Sequence, residues 1–250
     1  MAYLEKWSLA VGLWMLGATG CMIPHGSNAR PVQPLEAGTL LVGANVVMPV
    51  AVVGDVVVDE VYVQEGLVAD DLSIVPGGSF DVSLDNTATL GMALSYVDLR
   101  LPTSKRHVTR ALRRSYLVMS PRIELPISAH PRLSITGELN TALLVAKPDS
   151  DPQFGGPASF FMLPTVGARY YLPIGDGGLV VSQSIGLGAS LLPSFVLSGS
   201  AAYDIAIGDL HIMPELKWDP SVGFRLIDDQ AGVPVNGSWF SGALSVMYAL

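Results

Sequence analysis

The chain has 250 residues, of which 50% are hydrophobic and only 14% are charged. The formal net charge of −8 argues against nucleic-acid binding, which calls for a basic surface. The four histidines are scattered without metal-ligand spacing, and no motif predicts a cofactor. Beyond residue 20, no apolar run of about 18 residues lacks glycine, proline or polar interruption, so we expect no helical membrane span. The high apolar content then leaves a β-barrel or an unusually apolar soluble β-domain.

The first twenty residues predict an export signal, because a short apolar stretch precedes a run of small residues. The run Ala18-Thr19-Gly20-Cys21 resembles a bacterial lipobox, which implies that Cys21 is lipidated and becomes the first mature residue. An ordinary cleaved signal with an incidental cysteine is the alternative. Cys21 is the only cysteine, so no internal disulfide can form. Residues 22–37 lack periodicity and predict a flexible tether, followed by a single domain over 38–250.

Segments of alternating apolar and polar residues fill the rest of the chain. The clearest is 132–146, where Leu133, Ile135 and Leu139 share one face of a strand and polar residues occupy the other. A strand of ten residues, at ~3.3 Å each and a tilt near 40°, covers ~25 Å, the height of a membrane barrel's apolar band. Ten such strands are predicted, at 39–50, 74–84, 87–97, 113–127, 132–146, 158–172, 179–191, 195–207, 210–218 and 238–250.

The connections between these strands alternate in length. Transmembrane barrels have short periplasmic turns and longer outside loops. Short turns are predicted at 85–86, 128–131, 173–177 and 208–209, and outside loops at 51–72, 98–112, 147–157, 192–194 and 219–237. Only 192–194 breaks the alternation, and 51–72 could add a small hairpin above the membrane. The alternation favours a barrel over a soluble sandwich.

The last strand places Leu244, Val246, Tyr248 and Leu250 on one face, which resembles the terminal strand that barrel assembly machinery recognises. Together these features resemble a small bacterial outer-membrane β-barrel. The resemblance implies an all-β, antiparallel up-and-down transmembrane barrel of about ten strands (eight to twelve), porin-like, in a Gram-negative outer membrane. Its implied partners are outer-membrane lipid, lipopolysaccharide and the assembly machinery. A lipid-anchored soluble β-domain, with its apolar faces between two sheets, is the alternative.

Three prolines count against this fold. Pro121, Pro164 and Pro214 fall inside predicted strands, yet proline cannot donate to a strand ladder and is normally confined to edges or bulges. Either these sites are bulges, or the strands are shorter, or the sheet is open.

The inward register predicts a charge network in the lumen. A ten-stranded lumen is narrow, and buried charges need partners. The inward set has five acidic and four basic residues, apart from one histidine. This near-balance of charge favours a salt-bridged, mostly filled interior over the alternative of a narrow channel for small solutes. The inward charged set contains Asp81, Arg122, Glu124, Arg132, Glu138, Arg169, Asp204, His211, Glu215 and Lys217.

Catalysis is not predicted. Asp209 and His211 are spaced like the Asp-x-His pair of the omptin-like proteases, which are also ten-stranded barrels, with Asp81 or Asp85 as partner carboxylates. The resemblance implies a catalytic site at the outer rim of the barrel, but Asp209 and His211 lie at a predicted periplasmic turn. This position favours a non-catalytic interpretation, with Asp209 in the turn and His211 in the lumen.

Interaction surfaces are predicted in the outside loops. His107 lies in the basic loop 105–110, which is either solvated or in contact with lipopolysaccharide phosphates. The acid-containing loops 51–72 and 219–237 are the predicted contact surfaces for an extracellular ligand that the sequence leaves unknown.

Overall fold

The signal segment, Cys21, most of the predicted tether and the basic loop 105–110 lie outside the described residues. Within the described part of the chain, no helix is long and apolar enough to cross a membrane. The computed structural model describes residues 27, 29–31, 36–54, 56–58, 61–63, 74–84, 87–102, 111–146, 160–175, 177–188, 194–227 and 230–250.

Antiparallel strands make up almost all of this part of the chain, as the alternating sequence predicts. Ten of the strands close into one barrel in the order β1-β12-β11-β10-β9-β8-β7-β6-β5-β4, and β2 and β3 form a separate two-stranded hairpin. The strands are β1 (Leu40–Gly54), β2 (Val56–Val58), β3 (Val61–Val63), β4 (Val75–Leu84), β5 (Ala88–Pro102), β6 (Ala111–Ile127), β7 (His130–Ala146), β8 (Phe160–Ile174), β9 (Gly177–Gly188), β10 (Ser194–Ile207), β11 (Leu210–Ile227) and β12 (Gln230–Ala249). The predicted fold class and the hairpin within 51–72 are therefore confirmed.

The barrel closes where the first strand meets the last. β1 pairs with β12 from Leu41↔Ala249 to Gly54↔Gly237, with one register shift between Pro49 and Ala51. The other edge of β1 pairs with β4. Within the described residues each barrel strand thus has two neighbours, and the closed part of the sheet leaves no open edge whose backbone groups would need water.

Large apolar side chains cover the outside of the barrel. In β5, Leu94 and Tyr96 are more than 40% exposed, whereas the alternating Ser95 is 3% exposed. The same alternation appears on β1, β10 and β12, where the residues that the sequence assigns to the apolar face are the exposed ones. A closed sheet with an apolar outside spans a membrane, because that surface is stable only against lipid.

The prolines within strands are accommodated without opening the sheet. Pro121 keeps its pairing to β5, while the ladder to β7 skips positions 120 and 121. Pro214 keeps its pairing to β12, while the ladder to β10 skips positions 213 and 214. Pro164 pairs with β7, and the ladder to β9 begins one residue later. The sheet therefore stays closed without a bulge at these sites: Pro121 and Pro214 each leave a local gap toward one neighbour with no shift of register, and at Pro164 the ladder to β9 starts only after the proline.

The last two strands are longer than the sequence predicts. The predicted loop 219–237 is wrong for most of its length, since β11 continues to Ile227 and β12 begins at Gln230. Beyond Val222, β11 pairs only with β12 in the ladders of the described strands. Residues 223–227 and 230–236 therefore form what we call the β11–β12 arm, which extends ~17 Å along the strand direction at ~3.3 Å per residue.

The apolar outside generates a depth-dependent prediction. Leu94→Arg places a charge near the middle of β5 and should lower the free energy of unfolding by about 2–4 kcal/mol. Ile207→Arg, an exposed site beside the turn at Gly208, should cost only about 0–1 kcal/mol. Urea unfolding in lipid vesicles measures both. Equal effects at the two positions would contradict the membrane placement.

Candidate functional site in the barrel lumen

An ion cluster occupies the lumen near the short-turn end of the barrel. Asp81 on β4 accepts two hydrogen bonds from Arg122 on β6, from Nε at 3.1 Å and from Nη2 at 2.8 Å. Glu124, two residues along β6, pairs with Arg169 of β8 and accepts a hydrogen bond from the Tyr171 hydroxyl. Because each carboxylate is buried, these partners replace the water that it loses.

A residue of the predicted tether joins this cluster. Arg30 Nη2 lies 2.7 Å from Asp81 Oδ1, and Arg30 Nη1 lies 3.7 Å from Glu124 Oε2. Only 5% of the Arg30 side chain is exposed. The guanidinium therefore sits inside the barrel and bridges carboxylates of β4 and β6.

Glycine at position 91 makes room for the Asp81–Arg122 pair. In the register, Gly91 of β5 lies between Asp81 of β4 and Arg122 of β6. A Cβ atom built on Gly91 would overlap the Asp81 carboxylate. The pair can span the intervening strand because that strand carries no side chain there.

Ser27 fixes a second part of the N-terminal segment to the barrel wall. Its hydroxyl donates to Glu215 Oε2 of β11 at 2.5 Å and accepts from Ser245 Oγ of β12 at 2.7 Å. Its backbone N–H approaches Asn45 Oδ1 of β1 at 3.5 Å. The described residues of the segment thus contact five strands on different sides of the lumen.

An apolar floor lies beside these polar contacts. Ala29, between the two anchors, packs into a buried cluster of inward-facing residues from the barrel strands, and Tyr171 and Ala249 lie against it. The other members of this floor are Leu41, Val180, Ala202, Met213 and Met247. Charge alone therefore does not fill the lumen.

The predicted network residues occupy different surroundings. Arg122, Glu124, Arg169, Asp204, His211, Glu215 and Lys217 are buried, Glu138 is half-buried and Arg132 is exposed. His211 Nδ1 lies 2.9 Å from Asp204 Oδ1, whereas Asp209 is exposed in the turn. The structure therefore pairs His211 with Asp204 and not with Asp209, and the omptin-like spacing brings no such pair together.

Four residues from the middle of the predicted tether belong to the lumen site, and the sequence does not predict this. At Ser27, Ala29, Arg30 and Pro31 the structure differs from a flexible tether, because these residues are buried in the lumen. A cation and a serine in a segment without periodicity offered no signal for this placement. Gly91 and the apolar floor carry no charge, so the inward charge pattern does not indicate them.

A cavity of about 30 Å³ adjoins the cluster. Its charged lining consists of Arg30, Arg122, Glu124, Glu138 and Arg169. Arg122 Nη1 and Glu138 Oε1 are buried there without a hydrogen-bond partner in the described part of the chain. The volume suffices for about two water molecules.

The chain shows similarity to known proteins only among solved structures, and only at low identity. No protein-family model matches the chain, and no curated protein matches it. Among solved structures, it is similar to the outer membrane protein AlkL in lipid bilayers, with 11% identity, 91% of this chain and 97% of that chain covered, and a TM-score of 0.38. The TodX ΔS2S3 mutant, a monoaromatic hydrocarbon channel, is 9% identical, with 94% of this chain and 98% of that chain covered and a TM-score of 0.35. The outer membrane protease OmpT from Escherichia coli is 9% identical, with 85% of this chain and 94% of that chain covered and a TM-score of 0.37.

With TM-scores below 0.5, these similarities carry no argument, and the conclusion below rests on the barrel itself. The closed antiparallel barrel of ten strands, with an apolar outside and an ion-paired inside, is the architecture of bacterial outer-membrane proteins. The chain is a protein of the bacterial outer membrane.

The ion cluster generates a stability prediction. Glu124→Ala removes the carboxylate that Arg169 and Tyr171 share and should lower the free energy of unfolding by about 3–5 kcal/mol, the usual cost of breaking a buried ion pair. Glu36→Ala, at an exposed site, should change it by less than about 0.5 kcal/mol. Urea titration in vesicles compares them, and a Glu124→Ala protein as stable as the parent chain would contradict the role of the cluster.

Proposed function

We propose that this protein is an outer-membrane barrel of structural or interaction type whose lumen is closed in the resting state. The observation that carries the proposal is the position of Arg30 and Ser27 inside the barrel, where they bond to wall residues of β4 and β11. A narrow constitutive channel would need a continuous polar path, and the Ala29 floor interrupts such a path with apolar side chains.

The charge balance of the lumen also supports this proposal over a selective pore. Selective pores are lined by rings of one sign of charge. Here Asp81 pairs with Arg122 and Glu124 pairs with Arg169, so opposite charges neutralise one another along the inner wall, each pair across one intervening strand. Pairing of this kind fixes strands to one another and offers little to a passing ion.

An interaction role is supported by the outer ends of the strands. The β11–β12 arm extends past β10 and β1, and β2 pairs with β3 outside the barrel sheet. We propose these two hairpins as the surfaces that meet an extracellular partner. Strand edges in such hairpins can add a strand from another chain.

The remaining partners belong to the same proposal. Lipopolysaccharide would contact the basic loop 105–110, and Cys21 would carry a lipid. The barrel assembly machinery would recognise the terminal strand. Leu244, Val246 and Tyr248 are exposed on the outer face of β12, which supports the last of these.

Conductance in planar bilayers tests the closed lumen. The refolded full chain should insert without stepwise conductance, because the N-terminal segment and the apolar floor fill the lumen. An open porin added to the same bilayer provides the positive control, and the heat-dependent shift on unboiled gels confirms folding. Stepwise conductance from the unmodified protein would overturn the proposal.

A further inference from the structure

We infer that the inner wall around Asp81, Glu124 and Glu138 is a binding site for a guanidinium-bearing solute, and that the chain's own Arg30 occupies this site at rest. The inference goes beyond the proposed function, since it concerns what the lumen binds and not whether the resting lumen conducts.

The charge of the wall supports the inference. Asp81, Glu124 and Glu138 contribute three formal negative charges, and Arg122 and Arg169 contribute two positive charges. Without Arg30 these five wall residues sum to −1. A buried excess charge is unfavourable, so the wall needs one cation at the position that Arg30 fills.

The contacts of Arg30 show that the chain's own residue uses the site incompletely. A guanidinium has five N–H donors in a planar fork. Arg30 makes one short contact, from Nη2 to Asp81, whereas its Nη1 stays 3.7 Å from Glu124. Arg30 Nε and Nη1 have no hydrogen-bond partner among the described residues. A free guanidinium, not tied to Ala29 and Pro31, could turn to meet both carboxylates.

The adjoining cavity offers an acceptor that Arg30 leaves unused. Glu138 Oε1 is buried without a hydrogen-bond partner in the described chain, and Glu138 lines the cavity. An unpaired buried acceptor or donor has lost its water without replacement, which is unfavourable. A guanidinium placed toward the cavity could donate to Glu138 as well as to Asp81 and Glu124.

Displacement of Arg30 leaves the wall intact. Asp81 retains both hydrogen bonds from Arg122, and Glu124 retains Arg169 and Tyr171. Among the described hydrogen bonds, residues 27 and 29–31 make no backbone–backbone bond to a strand, so contacts that involve side chains hold these residues. Exchange of Arg30 for a free solute therefore needs no strand to separate.

Thiol labelling of a buried reporter tests this exchange. Ala29 is 2% exposed, so Ala29→Cys in a full chain carrying Cys21→Ser should react slowly with a maleimide. Millimolar methylguanidinium should accelerate the reaction about tenfold or more, a shift of about 1.4 kcal/mol in the opening of the segment. Potassium at equal ionic strength should leave the rate unchanged. Glu36→Cys, an exposed site, controls for reagent effects.

Charge reversal separates the site from general loosening. Added to the Ala29→Cys reporter chain, Arg30→Glu should give fast labelling that no longer responds to methylguanidinium, because the segment is already expelled. Arg132→Glu, at the exposed arginine, should leave the slow rate and its response intact. If Arg30→Glu fails to show the heat-dependent gel shift, Arg30→Gln replaces it.

Three results would overturn the inference. One is a labelling rate of the Ala29→Cys reporter that methylguanidinium and potassium affect equally. Another is an unchanged slow rate when folded Arg30→Glu or Arg30→Gln is added to that reporter. The third concerns the Ala29→Cys reporter with Arg132→Glu. If methylguanidinium accelerates its labelling equally before and after Arg30 is also replaced, the solute binds elsewhere.

Discussion

Pairing between the first and last barrel strands is the constraint on which the rest of this structure depends. A lipid environment supplies no hydrogen-bond partner to backbone groups, so a membrane-spanning sheet must close on itself. The ladder between β1 and β12 achieves this over most of the length of β1. Closure then sorts the side chains, because alternate residues face either lipid or a narrow interior.

The narrow interior explains the ion pairs and the N-terminal segment. Charged residues that closure turns inward lose water and must find one another. Asp81 and Arg122 meet across β5 because Gly91 lies between them. One carboxylate charge remains in excess on this part of the wall, and Arg30 supplies the missing cation. The apolar floor around Ala29 packs beside these ion pairs.

Much of this barrel could be predicted from the sequence, because period-two alternation directly reports strands with one face in lipid. The strand β7 and the apolar face of β12 are examples. Strand ends are predicted less well, since the β11–β12 arm lies beyond the closed part of the sheet, where no alternation between an outer and an inner face is required. The position of Arg30 could not be predicted, because it depends on three-dimensional charge complementarity and not on a local pattern. The role of Gly91 could likewise not be predicted, because it depends on the register of three neighbouring strands.

Closure can be measured directly by disulfide cross-linking of the first and last barrel strands. Val46 and Leu244 are register partners across this seam, so Val46→Cys with Leu244→Cys, in a chain carrying Cys21→Ser, should cross-link rapidly in vesicles. Val46→Cys with Tyr248→Cys, which is displaced along the seam because Tyr248 pairs with Val42, should cross-link much more slowly. A denaturing gel separates the cross-linked chain from the linear one. No cross-link in the matched pair, or equal rates in both pairs, would contradict a closed barrel.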